Sequence, residues 1–400
     1  MIYLDHAAAT PVDPRVFETM KPYFSRDFFN PSSAYLPAKK VAADYEAAKA
    51  TIAHAIGAKS SDLVITAGAT EANNLALNVI RTSGTAWGTP AGAPATVGED
   101  AVAGPVRILY LATEHDSVRR VAEKCGGAPI AVDQFGRIDL ADFRSKLTDE
   151  IDLVSVSLVN NELGTIQPLA EISGIIREVK LDRLKRGVKT PLYLHSDASQ
   201  ALNLLDINVA RLGVDLLTLN SAKVYGPKGV GALYVSHDVK LSPVTFGGGQ
   251  ENGLRSGTEN VPGVIGFAKA VELAKSHLNG NRKKYADFKK ILLNELRGYE
   301  LINKKHTLDN FIVLCYNGID AERLIYLLEE KAVYVSTGAA CAASKGEKSH
   351  VLAAIGLTDK QIAGSLRLSL GETNDEDQIR TAAKTINEVV EKEYARVQNG

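Results

Sequence analysis

Between residues 60 and 236 short apolar runs alternate with longer amphipathic stretches, and few chain topologies accommodate that pattern. Leu63-Val64-Ile65, Arg107 to Leu111, Leu153 to Val159, Pro191 to Leu194, Asp215 to Leu219 and Gly231 to Val235 read as strands. Helices fit Glu71 to Ile80, Ser117 to Cys125 and the segment after Pro168, which the Lys/Arg-rich stretch Lys180 to Lys189 extends. Strands separated by helices predict an α/β unit: a mostly parallel sheet with helices on both faces. In such a sheet, ligands gather at the carboxyl ends of the strands.

Four hundred residues exceed what one core usually holds, so a smaller companion unit is expected. The pattern changes near 260. One long helix is predicted through Val271 to Ala274, and another where Tyr285, Phe288, Leu292 and Leu296 recur at helical spacing, stopped by Gly298 as a C′ glycine. A strand at Phe311 to Leu314 and a helix after Asp375 complete an α+β unit. Residues 82–105, rich in Gly, Pro, Ala and Thr and without apolar period, read as a flexible surface insertion.

A net charge of −1 leaves no basic footprint for nucleic acid. Cys125, Cys315 and Cys341 are too few and too scattered for a disulfide framework or a tetrahedral metal site, which suits a reducing compartment. No run approaches the 18 or so apolar residues of a membrane helix, and the start lacks a basic segment followed by an apolar one. A cytoplasmic protein with no membrane partner is expected.

Chemistry concentrates at three predicted strand ends. Lys223 lies in Asn220-Ser221-Ala222-Lys223-Val224-Tyr225-Gly226-Pro227-Lys228-Gly229, between two strands, where an amine held by a Gly/Pro turn is a candidate imine former. Gly226 to Gly231 lacks the spacing and the Lys-Ser/Thr ending of a nucleotide phosphate loop. Asp197 closes the strand before, in His195-Ser196-Asp197-Ala198-Ser199-Gln200. A lysine for the aldehyde and a carboxylate for the ring nitrogen are what pyridoxal phosphate requires. Thr66-Ala67-Gly68-Ala69-Thr70-Glu71 adds small residues at a helix N-terminus, an anion site suited to its phosphate, although Thr70 as an ordinary N-cap explains the same residues.

Further segments follow in a familiar order: Tyr3 to Pro11 (YLDHAAATP), Asn30-Pro31-Ser32-Ser33, Gly68 to Asn74, Thr113-Glu114-His115, Val159 to Gly164 (VNNELG), Asp197 to Gln200, Arg255-Ser256-Gly257-Thr258, Ser336 to Cys341 (STGAAC) and Leu366 to Gly371. With Lys223 and Tyr225 to Gly229, they make the chain resemble the cysteine desulfurases, pyridoxal-phosphate enzymes of the class V aminotransferase group, from its first residues to about 371. The resemblance implies fold type I: an N-terminal segment, 1–15, packed with the small domain, a large cofactor-binding domain, 16–260, and a small domain, 261–400, carrying the Cys341 loop.

Carried over to these positions, the resemblance implies that Lys223 holds the cofactor and Asp197 pairs with its pyridinium. Gln200 and Asn161 contact the ring oxygen and the substrate. His115 stacks on the ring and assists proton transfer, work suited to a pKa near neutrality; capping the helix at Asp116 is its plainer role. Ala69, Thr70, Asn220 and Ser221 hold the phosphate, with Thr258 reaching across from a second subunit of a homodimer. Arg367, helped by Asn30, grips the carboxylate of L-cysteine.

Cys341 is implied as the nucleophile that takes the substrate sulfur as a persulfide. Its small-residue surroundings, Ser336 to Ser344, read as a mobile, exposed loop. Cys125 and Cys315 lie in apolar runs and read as core. The long Cys341 loop resembles the branch serving iron–sulfur scaffolds, where Cys341 could transiently share a cluster, and other acceptors such as tRNA thiolation proteins.

Ala222 stands where the family commonly has histidine, Asn220 where it has serine, and Tyr35 where histidine is frequent. Loss of one phosphate contact would cost about 1 kcal/mol. A lyase for selenocysteine or cysteine sulfinate, and a silent sulfur-carrier subunit, share the same frame.

Overall fold

The computed structural model describes residues 1–78, 106–337 and 348–399. The first strands in chain order are β1 (Ile2–Tyr3), β2 (Leu63–Thr66), β3 (Ile108–Leu111), β4 (Ala128–Ile130), β5 (Leu153–Ser155), β6 (Tyr193–Asp197), β7 (Leu216–Asn220) and β8 (Gly231–Val235). Seven form the central sheet in the order β2-β8-β7-β6-β5-β3-β4, in which only β8 runs against its neighbours. The alternation in the sequence therefore marks an α/β sheet, as expected. Every residue of β2, β3 and β5 is buried, because helices cover both faces.

Local chemistry sets the helix ends. Asp139 caps Leu140–Lys146 through the Ala141 and Asp142 N–H groups, and Gly187, at φ 72°, ends Leu169–Arg186. The helix after β2 starts at Ala69, two residues before the position expected from sequence, and ends at Ala76. Strand β5 stops at Ser155, but the Val156 and Leu158 N–H groups continue its pairing to the carbonyls of His195 and Asp197.

Two helices were expected after residue 260; one 35-residue helix, Val261–Glu295, occupies that stretch. Gly280 costs about 1 kcal/mol in a helix interior, but contacts beside it carry the helix through. Arg282 Nε donates to Leu204 O, and Asn281 Nδ2 and Lys284 Nζ donate to Glu372. Gly298 is not the C′ residue. The helix closes at Leu296, and Gly298, at φ 67°, turns the chain into the next strand.

That strand, β9 (Glu300–Leu301), begins a second, antiparallel sheet with β10 (Phe311–Cys315); β11 (Val333–Tyr334), β12 (Ser336–Thr337) and β13 (Ser365–Ser369) follow in the chain. Its order is β12-β13-β10-β9, while β11 pairs with β1. The chain start is sewn to this unit: Leu4 N donates to Tyr334 O, Ser369 N to Leu4 O and Ala7 N to Ser369 Oγ. These bonds bring residues 5–8 beside Arg367 of β13.

The two sheets meet at Gly164, whose φ of 70° suits glycine and whose Cα faces buried Phe311. A Cβ there would lie 2.5 Å from the Phe311 side chain. Gly164→Ala is expected to lower unfolding free energy by about 2–4 kcal/mol, from left-handed strain plus overpacking. Denaturant unfolding measures it, and a loss under about 0.5 kcal/mol would contradict the packing described.

Candidate active site

The carboxyl ends of β2, β3, β5, β6 and β7 open onto one cavity of about 340 Å³. Ala69 and Thr70 follow β2, His115 follows β3 and Asn161 follows β5; Asp197 and Gln200 come from β6, Asn220 and Lys223 from β7. Arg367 enters from β13. A more open cleft of about 680 Å³ lies at the other end of the strands, beside His54 and Asp215. Its two acids are already engaged: Asp215 accepts from Leu194 N and from Lys180, and Asp62 from Lys59 N and Ser61 Oγ.

Asp197 is buried, and both its oxygens are used. Oδ1 accepts from Ser199 N at 2.9 Å and Oδ2 from Asn73 Nδ2 at 2.8 Å. The same Asn73 amide donates to Ser117 Oγ at 2.8 Å, which lies 2.8 Å from His115 Nδ1. Ser117 N donates to that Nδ1 as well. With Nδ1 an acceptor, the neutral ring carries its proton on Nε2. His115 is thus the N-cap of Asp116–Lys124 and a cavity residue at once.

Lys223 Nζ donates to Ala7 O at 2.8 Å, and Gln200 Nε2 donates to the same carbonyl at 3.0 Å. Thr10 fixes the lysine loop through the Ala222 carbonyl, which accepts from its N and Oγ1, both at 3.1 Å. Asn220 Oδ1 accepts from Ala222 N, so part of its side chain is spent locally. At the far side, the helix Ala69–Ala76 begins at Gly68 (φ 146°) with no side-chain cap. Thr70 is therefore inside the helix and is not its N-cap.

Besides Asp116 and Asp197, two glutamates line or underlie the cavity. Glu162 accepts from Ser349 Oγ at 2.6 Å, and burial pushes its carboxyl up to about 7. Glu114 is wholly enclosed. Ser157 N donates to its Oε1, while Oε2 has no partner among the described residues. Desolvation first, then the Asp197 charge, pushes it up to about 8. His350 Nε2 donates to the Glu114 carbonyl at 2.9 Å, bringing a second imidazole to the cavity wall.

Not every sequence candidate arrives here. Asn30 is exposed, its Oδ1 accepting from Ser32 N, and it does not line the cavity. Ser221 is buried outside it, and Thr258 is exposed outside it. Cys341 and the whole 82–105 stretch lie outside the described residues, within 338–347 and 79–105. Cys315 is buried in β10, as expected, and Cys125 is half-buried at a helix end. Sequence reasoning missed Asn73, Ser117, Glu162 and His350 as site residues. Asn73 had a signal: it follows Ala72 and precedes Leu75 and Ala76, on a buried helix face.

Glu114 yields a pH-dependent expectation. Its folded value lies above its ordinary 4.5, so its contribution to stability is present below that value and lost as pH rises toward 8. Glu114→Gln keeps an acceptor for Ser157 N and has nothing to ionise. Its stability relative to the parent protein should therefore increase from pH 5 to pH 8 in denaturant titrations. A pH-independent difference would contradict this picture.

The aminotransferase class-V family model matches residues 2–381. Cysteine desulfurase IscS 1 of Archaeoglobus fulgidus is 36% identical over 403 residues, covering 98% of this chain and 97% of that protein. Cysteine desulfurase IscS of Dictyoglomus turgidum is 34% identical over 401 residues, covering 98% and 95%. Among solved structures, a NifS-like protein aligns with a TM-score of 0.84 at 29% identity, covering 98% of this chain and 99% of that one. SspA in complex with cysteine aligns at 0.76 with 31% identity, over 92% and 99%. Matched from end to end by such relatives, the chain belongs to the class-V aminotransferase family and, within it, to the cysteine desulfurases.

Proposed function

We propose that this chain is a pyridoxal-phosphate-dependent cysteine desulfurase that converts L-cysteine to L-alanine and leaves the sulfur on Cys341 as a persulfide. The observation that carries the proposal is one cavity holding an amine, a buried carboxylate and an arginine: Lys223, Asp197 and Arg367.

The residues present fit the cofactor. The uncapped start of Ala69–Ala76 offers backbone N–H groups to a phosphate, with Ala69 and Thr70 in the wall. Ser199 Oγ, also in the wall, is buried without a partner. Asp197 supplies the fixed negative charge for a ring nitrogen, and Lys223 the amine that holds the group. His115, Gln200, Asn161 and Asn220 complete the wall, while Ser221 steadies the lysine loop from behind. When bound, pyridoxal phosphate supplies a sink for electrons released at the substrate α-carbon.

Arg367 receives the α-carboxylate of L-cysteine through charge-assisted hydrogen bonds. His115, with its proton on Nε2, is placed to give and retrieve a proton at that atom. The Cys341 thiolate attacks the substrate Sγ; the S–S bond forms as the Cβ–Sγ bond breaks, and Cβ takes a proton to give alanine. Atoms balance: cysteine plus thiol gives alanine plus persulfide.

Thr258 serves the cavity of a second subunit in this proposal, supported by its exposure and by exposed Phe24, Phe28, Tyr35, Leu36 and Phe246. Asn30 stands outside the cavity wall and has no part in the proposed mechanism. The division into 1–15, 16–260 and 261–400, a cytoplasmic location, supported by free Cys125 and Cys315, and sulfur delivery to an iron–sulfur scaffold or other acceptor belong to the same proposal. Among the described residues, no helix is long and apolar enough to cross a membrane.

Sulfide and alanine released from L-cysteine with a thiol reductant test the proposal. Equal amounts from the parent protein, and neither from Cys341→Ala, are expected. Alanine formation that survives in Cys341→Ala would favour a lyase that needs no persulfide. Arg367→Lys, which loses the bidentate fork, should lose one charge-assisted hydrogen bond worth about 1.5–3 kcal/mol and raise KM roughly 10- to 150-fold. An unchanged KM would remove Arg367 from the carboxylate.

A further inference from the structure

The protein itself already holds much of the Arg367 guanidinium. Nη2 donates to Asp5 Oδ1 at 2.6 Å and Nη1 to Asn161 O at 2.9 Å. Nε is buried with no hydrogen-bond partner among the described residues, although Arg367 lines the cavity. The two side chains of the ion pair are 4% and 18% exposed, so solvent screens it weakly. Each Nη carries a second N–H beyond the one so used, which leaves donors for an incoming acceptor.

Asp5 cannot readily withdraw. Its neighbour Leu4 is bonded on both sides, N to Tyr334 O and O from Ser369 N, and Ala7 N is tied to Ser369 Oγ. Glu162, an acid of the cavity wall, takes the Ser349 hydroxyl instead. Asp5 is therefore the carboxylate in direct contact with the guanidinium.

We propose that Asp5 is a positioning and affinity-setting residue for the substrate carboxylate: it holds the Arg367 plane against Asn161, while its charge weakens the anion seat. The inference rests on the desulfurase proposal and deepens it. A carboxylate arriving beside a fixed like charge binds less tightly than it would on a bare guanidinium, which favours release of the amino-acid product. An amine without a carboxylate does not meet this opposition.

Isothermal titration of the holoenzyme with L-alanine and with ethylamine, its carboxylate-free counterpart, tests the inference. Asp5→Asn keeps an acceptor for Nη2 and removes the charge, so L-alanine should bind about 3- to 10-fold tighter while ethylamine is unaffected. Asp5→Ala removes charge and contact together and should tighten L-alanine by a smaller factor; it carries the test should Asp5→Asn fail to fold. Unchanged or weaker L-alanine binding in the folded variants, or an equal shift for ethylamine, overturns the role of Asp5 while the parent protein still binds L-alanine. No L-alanine binding by the parent protein would instead overturn the desulfurase proposal, and this inference with it.

Discussion

A carboxylate buried at the end of a parallel sheet is stable only where hydrogen bonds answer its charge, and Asp197 is answered by a backbone N–H and the Asn73 amide. That requirement organises its surroundings. Asn73 must face inward, which fixes the rotation of Ala69–Ala76 and aims that helix's uncapped start at the cavity. The second Asn73 N–H then holds Ser117, and Ser117 sets the His115 tautomer. One buried charge thereby links three strand ends, and the groups proposed for the phosphate, the ring and the proton share one frame.

The smaller sheet adds the substrate side. Arg367 lies on β13, opposite Val313 of β10, within a strand that is buried throughout. The chain start crosses from this sheet to the lysine loop, binding Ser369 at one end and Ala222 at the other. Residues 5–10 thus couple the groups proposed to grip the carboxylate and to hold the cofactor. A shift of either unit would be felt at Lys223 and Arg367 together, because the linking contacts are short and buried.

The strands of the central sheet were legible because they are buried on both faces and read as apolar runs with turns between them. Lys223 and Asp197 were legible for a related reason: polar residues that interrupt such runs at strand ends have few structural duties. The Val261–Glu295 helix was read as two because its continuity rests on partners far along the chain, Leu204 and Glu372, which no local window contains. The burial of Glu114 and Glu162 is likewise a tertiary fact. His350 reaches the cavity through a contact 236 positions away in sequence. Sequence placed Asn30 and Thr258 in the site by resemblance, and in a single chain both stand outside the cavity wall.

The central claim is that Lys223, just after β7 and in one cavity with Asp197, carries the cofactor. The most direct measurement is borohydride reduction of the purified protein, proteolysis and mass spectrometry of the lysine-containing peptides. The account predicts a pyridoxyl-phosphate adduct on the peptide containing Lys223 and its disappearance in Lys223→Ala. An adduct confined to another lysine, or none on a protein isolated with its cofactor absorbance, would contradict it.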